Sequence, residues 1–197
     1  DPKRIVPSNE PSTLKSDYNI PAHAKIVCFG HRLSAEKRPE LAVEIAKLLP
    51  DNWVMVILGD GPLKHDVKLA AANCDRVRLV GAYESLADWL AISDCFLSLS
   101  TFEGFGLAIA EAMAAGVPTV STATGIAPGL ATTLPTFASP ADWAKAIQTA
   151  EVKAWPAIIL DRFSVDRMVQ SWANVILNAS GERQGVSPPS CSSALQL

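Results

Sequence analysis

The sequence predicts an α/β protein with a single Rossmann-like, doubly wound parallel sheet and helices on both faces. Short apolar runs of strand length recur along the chain, and a turn followed by apolar residues at helical spacing comes after most of them. Apolar residues make up 49% of the chain and charged residues 19%, the balance of a globular domain. A chain of 197 residues is long enough for one such domain with an arm and a tail.

Each predicted element has a local signal. The expected strands are the apolar runs at residues 25–30, 53–58, 76–81, 94–100, from 117 onward, and a short one at 134–137. Helices are expected from Pro39, after Leu63, over 85–92, within 107–115, from Ser139, and over 163–177. Proline in a first turn and serine as a cap support the helices at Pro39 and Ser139. The last helix has an apolar stripe at helical spacing, which is expected to pack in the core rather than form a partner site: Val165, Met168, Val169, Trp172 and Ile176.

The two ends of the chain have a different composition. Residues 1–24 contain several prolines among polar residues and predict a linker or extended arm. Residues 179–197, rich in serine, proline and glycine from 180 onward, predict a flexible tail. The domain itself is therefore assigned to residues 25–178. The chain starts at Asp1 rather than methionine, which suggests either an excised fragment or a processed chain.

Composition excludes several classes of function. The net charge of −3 provides no broad basic field for nucleic acid, so any anion site must be local. The sequence contains no run of 18 apolar residues, so no membrane span is expected. The four cysteines form no C-x-x-C pair, which favours a reduced, cytoplasmic setting. The three histidines are scattered without the spacing of metal ligands, and no metal cofactor is expected.

Residues 100–120 run from a strand end through a glycine turn into a helix and the next strand. Gly104 and Gly106 let the backbone approach a ligand closely, and the N-terminus of the helix suits a phosphate. Glu111 lies about one turn into that helix, where it can accept hydrogen bonds from sugar hydroxyls. Glu103, in the loop, can face a second hydroxylated group. The alternative interpretation is a helix packed on a sheet with solvated glutamates.

The loop after the first strand carries three cations, Arg32, Lys37 and Arg38. Loops at the carboxyl ends of parallel strands bind phosphate ligands in open α/β sheets. A solvated run of charge is the alternative interpretation of this loop.

Residues 100–120 resemble the signature of retaining glycosyltransferases of the GT-B fold, family four. That signature carries two glutamates separated by seven residues, here Glu103 and Glu111, within a Glu-Gly-Phe-Gly-Leu run and a Glu-Ala-Met-Ala run. The family also has an Arg and a Lys five residues apart after the first strand, matched by Arg32 and Lys37. One departure is His31, which stands where the family usually has glycine. The resemblance covers about residues 25–177 and implies one half of a GT-B fold, the C-terminal half that binds the nucleotide sugar.

The resemblance implies a role for each matching position. Glu103, Arg32 and Lys37 would act at the reacting centre, Glu103 on the transferred hexose and the two cations on the diphosphate. Glu111 would hold the ribose. The remaining substrate-binding positions are the signature loop at Gly104, Phe105, Gly106 and Leu107, and the nucleobase contacts Ala82 and Tyr83. Stacking of Tyr83 on a base and simple packing are equally favoured.

The resemblance also implies partners. The substrate would be a UDP-, GDP- or ADP-sugar, and no metal cofactor would be needed. The N-terminal half of the fold would come from the same or a separate chain, and peripheral membrane association through that half stays open. The rival hypothesis is a non-catalytic sugar-nucleotide-binding or interaction module. A dinucleotide-dependent oxidoreductase is disfavoured because no G-x-G-x-x-G follows the first strand.

Overall fold

The strands form one sheet in which every pairing is parallel. The computed structural model describes residues 6–7, 11–82, 85–153 and 156–179 of the chain. Within these ranges the strands are β1 Lys25–Gly30, β2 Trp53–Leu58, β3 Val77–Gly81, β4 Cys95–Ser98, β5 Thr119–Thr122 and β6 Thr132–Leu134. Their order in the sheet is β3-β2-β1-β4-β5-β6. This is the doubly wound order, in which the winding reverses between β1 and β4 and leaves a crevice at their carboxyl ends.

Helices connect the strands and cover both faces of the sheet. They are α1 Pro11–Asp17, α2 Pro39–Ala46, α3 Lys64–Ala71, α4 Leu86–Leu90, α5 Leu107–Ala114, α6 Pro140–Gln148, α7 Pro156–Arg162 and α8 Val165–Ala179. A short 3₁₀ turn at Ala35–Lys37 precedes α2. The predicted α/β fold class is confirmed, and so are the positions of the first five strands to within a few residues.

Successive side chains of the central strand β1 point to opposite faces of the sheet, and the core is accordingly divided into two clusters. Ile26 and Cys28 face a cluster built with α4, α5 and α7, whereas Val27 and Phe29 face a cluster built with α2, α3 and α6. All four side chains are fully buried. Burial on both faces explains why β1 and β2 are continuous apolar runs rather than alternating ones.

Two elements differ from the sequence-based expectation. Strand β6 occupies Thr132–Leu134, whereas the sequence predicted a strand at residues 134–137. The reason is Pro135, which has no N–H to donate to a ladder. Helix α7 at Pro156–Arg162 was not predicted, although its Ile159 is buried in the core.

The segment predicted as an extended arm contains structure that packs on the domain. Helix α1 lies within it, Leu14 and Tyr18 pack against the core, and Ile20 is buried. The Tyr18 ring meets Trp89 edge-on at 5.1 Å between centroids. Arg78 reinforces the contact by donating from Nε to the Tyr18 carbonyl at 2.9 Å. The core therefore begins before Lys25, the boundary assigned from sequence.

The expectation that the stripe of the last helix is core was wrong. Three residues of the predicted stripe, Met168, Val169 and Trp172, are 54%, 56% and 63% exposed, and Val175 on the same helix is 59% exposed. Helical spacing shows that these residues share a face, but it does not show what covers that face. No helix in the described ranges is both long enough and apolar enough to cross a membrane. Of the predicted tail at residues 179–197, Ala179 is the last residue of α8, and residues 180–197 lie outside the described residues.

Candidate functional site

Two loops meet at the carboxyl ends of β1 and β4, where the winding of the sheet reverses. They border a cleft of about 430 Å³. The lining residues are Gly30, His31, Arg32 and Lys37 after β1, and Glu103, Phe105, Gly106, Leu107 and Ala108 at the start of α5. Ligands of open α/β sheets bind in this crevice, so the topology alone marks it as the candidate site.

An ion pair joins the two loops inside the cleft. Lys37 Nζ donates to Glu103 Oε1 at 2.6 Å, and Ser100 Oγ donates to the same oxygen at 2.7 Å. The side chains of Lys37 and Glu103 are only 17% and 13% exposed. Both charges are thus held in a fixed geometry and partly shielded from water, where their interaction is stronger than at an open surface.

The carboxylate of Glu103 is held in its ionised form. Burial acts to raise its pKa, but the hydrogen bonds from Lys37 and Ser100, together with the positive charge of Lys37, outweigh burial and bring the pKa below its usual value. At neutral pH Glu103 is therefore an acceptor that can receive hydrogen bonds from hydroxyl groups.

Helix α5 presents its N-terminus to the same cleft. Gly106 caps the helix with φ +88°, a left-handed conformation that side chains resist, and its carbonyl accepts from Ala110 N at 3.0 Å. The first amides of a helix lack intrahelical acceptors and point along the axis toward an approaching anion. An anionic group in the cleft would thus face the positive end of α5.

The loop after β5 packs closely against the signature loop, which carries Glu103 and Phe105. Gly125 adopts φ +55°, and a Cβ there would lie 2.4 Å from the Phe105 carbonyl oxygen and 3.0 Å from Glu103 Cβ. The next residue, Ile126, donates its N–H to the same Phe105 carbonyl at 2.8 Å. A side chain at position 125 would therefore displace the loop that carries Glu103.

Arg38 does not line the cleft and instead holds two backbone segments together. Its Nε donates to the Leu99 carbonyl and its Nη1 to the Thr136 carbonyl, each at 2.6 Å. The guanidinium therefore ties the end of β4 to the turn after β6. Of the three cations predicted in this loop, Arg32 and Lys37 are the two that line the cleft.

The structure brings most of the predicted site residues together. Arg32, Lys37, Glu103, Phe105, Gly106 and Leu107 line one cleft. Gly104 lies in the same loop and is exposed, and Ala82 is exposed just after β3. Glu111 is partly buried in the second turn of α5, beyond the residues that line the cleft. Tyr83 lies outside the described residues.

Sequence reasoning did not assign two residues that matter here. Ser100 holds Glu103 in place, and its position three residues before that glutamate was a usable signal. His31 was noted only as a departure from the family pattern. It is 7% exposed, lines the cleft, and packs against the rings of Phe29 and Phe96.

Comparison with known families identifies the chain. The family described as glycosyl transferases group 1 matches residues 12–150, and the chain belongs to this family. The resemblance seen in the sequence is thereby confirmed. The match starts at residue 12, inside the segment assigned to the arm and close to the start of α1.

Similar proteins include curated bacterial enzymes and solved structures. The N-acetyl-alpha-D-glucosaminyl L-malate synthase of Bacillus anthracis is 33% identical over 128 residues, 62% of this chain and 34% of that protein. The lipopolysaccharide core biosynthesis mannosyltransferase LpsB of Rhizobium meliloti is 34% identical over 137 residues, 64% of this chain and 39% of that protein. The chain thus spans little more than a third of the length of these relatives.

The fold has close counterparts among solved structures. Anabaena HepE, solved in complex with UDP-glucose, superposes with a TM-score of 0.78 at 22% identity, covering 90% of this chain and 55% of that one. A glycosyltransferase from Rickettsia africae superposes with a TM-score of 0.74 at 18% identity, covering 93% and 55%. At these identities the likeness shows a shared fold.

Proposed function

We propose that the chain is the donor-binding domain of a retaining hexosyltransferase and holds a nucleoside-diphosphate sugar in the cleft between the β1 and β4 loops. The observation that carries this proposal is the meeting of Lys37 and Glu103, from two different loops, in front of the N-terminus of α5. A cation beside a carboxylate matches a ligand with a diphosphate next to a hydroxylated sugar.

The diphosphate contacts Lys37, Arg32 and the backbone amides at Phe105, Gly106 and Leu107 in this proposal. An ammonium group has three donors, so Lys37 can bond Glu103 and still donate to phosphate oxygens. The partial positive charge of the helix N-terminus adds to this attraction. Since the whole chain carries a net charge of −3, the attraction for the anion is local to the cleft.

The hydroxylated parts of the donor contact the acidic residues. Glu103 accepts from the transferred hexose, and Glu111, further along α5, accepts from the ribose. Ala82 and Tyr83, the two residues that follow β3 in the sequence, receive the nucleobase. Support for a nucleotide hexose comes from the relatives: LpsB is a mannosyltransferase, and HepE was solved with UDP-glucose.

Catalysis in this proposal is electrostatic. As the glycosidic bond breaks, negative charge develops on the departing nucleoside diphosphate, and Arg32, Lys37 and the amides of α5 stabilise it. The acceptor hydroxyl attacks from the face that the diphosphate leaves, which retains the anomeric configuration. Neutralisation by side chains and amides makes the reaction independent of a metal ion.

The acceptor site lies in an N-terminal GT-B half, on the same or a separate chain. We place the assembled enzyme in the cytoplasm, in polysaccharide, glycolipid or glycan biosynthesis, with peripheral membrane association through that half. The rival function is a module that binds the sugar nucleotide without catalysis. Transfer to an acceptor in the presence of the N-terminal half separates the two.

Calorimetric titration tests the proposal directly. UDP, GDP, ADP and their glucose and mannose conjugates are titrated into the chain, and one base is expected to bind measurably. Lys37→Ala should weaken that binding about tenfold or more, since a hydrogen bond to a charged group contributes about 1.5–3 kcal/mol. Lys68→Ala, an exposed lysine on α3, is the matched control and should bind like the original chain. Absence of binding to every nucleotide would overturn the proposal.

A further inference from the structure

Arg38 adopts a backbone conformation that its side chain disfavours. Its φ of +53° and ψ of +54° lie in the left-handed region, at the junction between the 3₁₀ turn and α2. For residues other than glycine this region brings Cβ close to the following carbonyl oxygen, whereas glycine enters it without that cost. A residue is kept there only where its surroundings fix it, so the contacts of the Arg38 side chain need an explanation.

The Arg38 guanidinium bridges two other segments of the chain. Its Nε donates to the Leu99 carbonyl and its Nη1 to the Thr136 carbonyl, each at 2.6 Å. A guanidinium is a rigid planar fork, so two hydrogen bonds from it fix both the distance and the direction of the groups that it binds. Leu99 directly follows β4, and its carbonyl is therefore held at a set position relative to the loop after β1.

Two further hydrogen bonds act on the same segment after β4. Thr101 donates its N–H to the Glu36 carbonyl at 2.8 Å, and the Ser100 carbonyl accepts from Thr122 Oγ1 at 2.5 Å. Together with the hydrogen bond from Arg38, they hold three consecutive residues of this segment through the backbone. The residues around the 3₁₀ turn and the segment after β4 are thus joined at more than one point.

The joined segments carry both groups that donate to Glu103. Lys37, the residue before Arg38, donates from Nζ to Glu103 Oε1 at 2.6 Å. Ser100, the residue after Leu99, donates from Oγ to the same oxygen at 2.7 Å. Each end of the Arg38–Leu99 hydrogen bond is therefore one residue away from a group that binds Oε1. Because both groups use Oε1, neither of them occupies Oε2.

We propose that Arg38 is a positioning residue of the nucleotide-sugar site. It keeps Lys37 and Ser100 on one carboxylate oxygen, Oε1 of Glu103, and leaves Oε2 to accept from a sugar hydroxyl. This inference rests on the proposed function. Arg38 does not line the cleft, so it acts through the two residues that bind Glu103 rather than by touching the ligand. A misplacement of about 1 Å is enough to weaken a site that has to orient its ligand.

Two variants of Arg38 separate the roles of its side chain, its charge and its backbone. Arg38→Lys keeps the positive charge but has one ammonium group instead of a fork, so it cannot reproduce both hydrogen bonds in the same geometry. Arg38→Gly removes the side chain and suits the left-handed backbone. Arg78→Lys is the matched control, because Arg78 also bridges two carbonyls, those of Tyr18 and Asn19, away from the cleft.

The first measurement follows the Glu103 carboxylate in the chain without ligand. Burial acts to raise the pKa of Glu103, and the hydrogen bonds from Lys37 and Ser100 outweigh burial. If Arg38 holds those hydrogen bonds in place, the pKa of Glu103 should rise in Arg38→Lys and Arg38→Gly and stay unchanged in Arg78→Lys. The ¹³Cδ resonance of Glu103, assigned by comparison with Glu103→Gln, reports this pKa in a pH titration.

The second measurement is the affinity for the nucleotide sugar. The 197-residue chain and its variants are titrated by calorimetry with UDP-glucose, ADP-glucose and GDP-mannose. For the compound that the original chain binds, we expect both Arg38 variants to lose about tenfold in affinity and Arg78→Lys to lose less than about twofold. Urea denaturation of the three variants shows whether a general loss of stability accompanies these changes.

The outcomes separate this inference from the proposed function. An original chain that binds none of these compounds overturns the proposed function and this inference with it. Binding by the original chain, together with an unchanged Glu103 titration or an unchanged affinity in the folded Arg38 variants, overturns this inference alone. Equal effects of Arg78→Lys also overturn it, because the changes would then follow from lower stability. If neither Arg38 variant folds, Arg38 serves the fold as a whole, and the inference is overturned in the same way.

Discussion

The Nζ atom of Lys37 lies 2.6 Å from the Oε1 atom of Glu103, although the two residues are 66 positions apart in the chain. Lys37 ends the 3₁₀ turn after β1, and Glu103 belongs to the loop after β4. Strands β1 and β4 are neighbours only because the sheet reverses its winding there. The ion pair therefore lies at the topological switch point of the sheet, where the candidate site is.

The Lys37–Glu103 pair should stabilise the fold. Replacing Lys37 by Met leaves the partly buried carboxylate with Ser100 as its remaining donor among the described residues, and we expect a loss of about 1–3 kcal/mol in the free energy of unfolding. The double variant Lys37→Met/Glu103→Gln should recover part of the loss, because no unpaired charge remains. Urea denaturation measures all three.

The Lys64–Asp60 pair is the matched control. Its geometry is similar, at 2.6 Å, but its side chains are 57% and 53% exposed. Lys64→Met should cost at most about 1 kcal/mol. An equal cost for the two lysines would show that burial does not strengthen the pair in the cleft.

The contribution of Glu103 to stability should depend on pH. Its pKa is lower in the folded chain than in the unfolded one, so folding favours the ionised form. The contribution is then fully present above the unfolded pKa of about 4.3 and is lost as the pH falls through the folded pKa. Urea midpoints of the original chain and Glu103→Gln, measured from pH 7 to pH 3, should converge toward the acid end. A constant difference over this range would contradict the assignment.

Glu111→Ala should weaken nucleotide binding by about 1.5–3 kcal/mol, because a charged acceptor for the ribose is lost. Calorimetry with the nucleoside diphosphate measures the change. Glu44→Ala removes an exposed glutamate from α2 and should have no effect. Unchanged affinity of Glu111→Ala would remove the ribose role from this residue.

Nucleotide binding should not require a divalent metal ion. Lys37, Arg32 and the N-terminus of α5 are expected to neutralise the diphosphate. Titrations with the same nucleotide in the presence of EDTA and of Mg²⁺ should give the same affinity. Loss of binding on chelation would mean that a metal ion carries the charge.

The isolated chain should bind the donor but not transfer its sugar. In the proposed arrangement the N-terminal half positions the acceptor, and without that half the reacting groups gain little from proximity. The donor also stays in contact with water, which weakens the stabilisation of the leaving group. A product assay is run on the chain alone and with an N-terminal GT-B half supplied on the same or a separate chain. Efficient transfer by the chain alone would contradict the proposed division of the site.

Much of the fold and the site could be predicted from local patterns. The strands are apolar runs bounded by glycine, and a buried parallel strand needs apolar residues on both faces whatever lies next to it. Glycines and charges around residues 100–120 likewise indicated a ligand loop, since helix N-termini and left-handed glycines have the same chemistry in any fold. The roles of Arg32, Lys37 and Glu103 at the site came from the resemblance of these positions to the glycosyltransferase family.

Three features of the structure differed from the sequence-based expectation. The last helix has a regular apolar stripe, yet Trp172 is 63% exposed, because periodicity does not specify the covering partner. Strand β6 ends at Leu134, where Pro135 cannot extend the ladder. Arg38 resembled a third phosphate ligand in sequence, but its hydrogen bonds go to the carbonyls of Leu99 and Thr136.

The sequence by itself determined the alternation of strands and helices, the glycine turns and the set of charged residues available to the site. Only the tertiary structure decided which of those residues meet, because the order of strands brings β1 beside β4 and Lys37 beside Glu103. It also decided that His31 is buried between Phe29 and Phe96, with no hydrogen-bond partner for Nε2 among the described residues. Burial and pairing are properties of neighbours in space, and local patterns in the chain do not contain them.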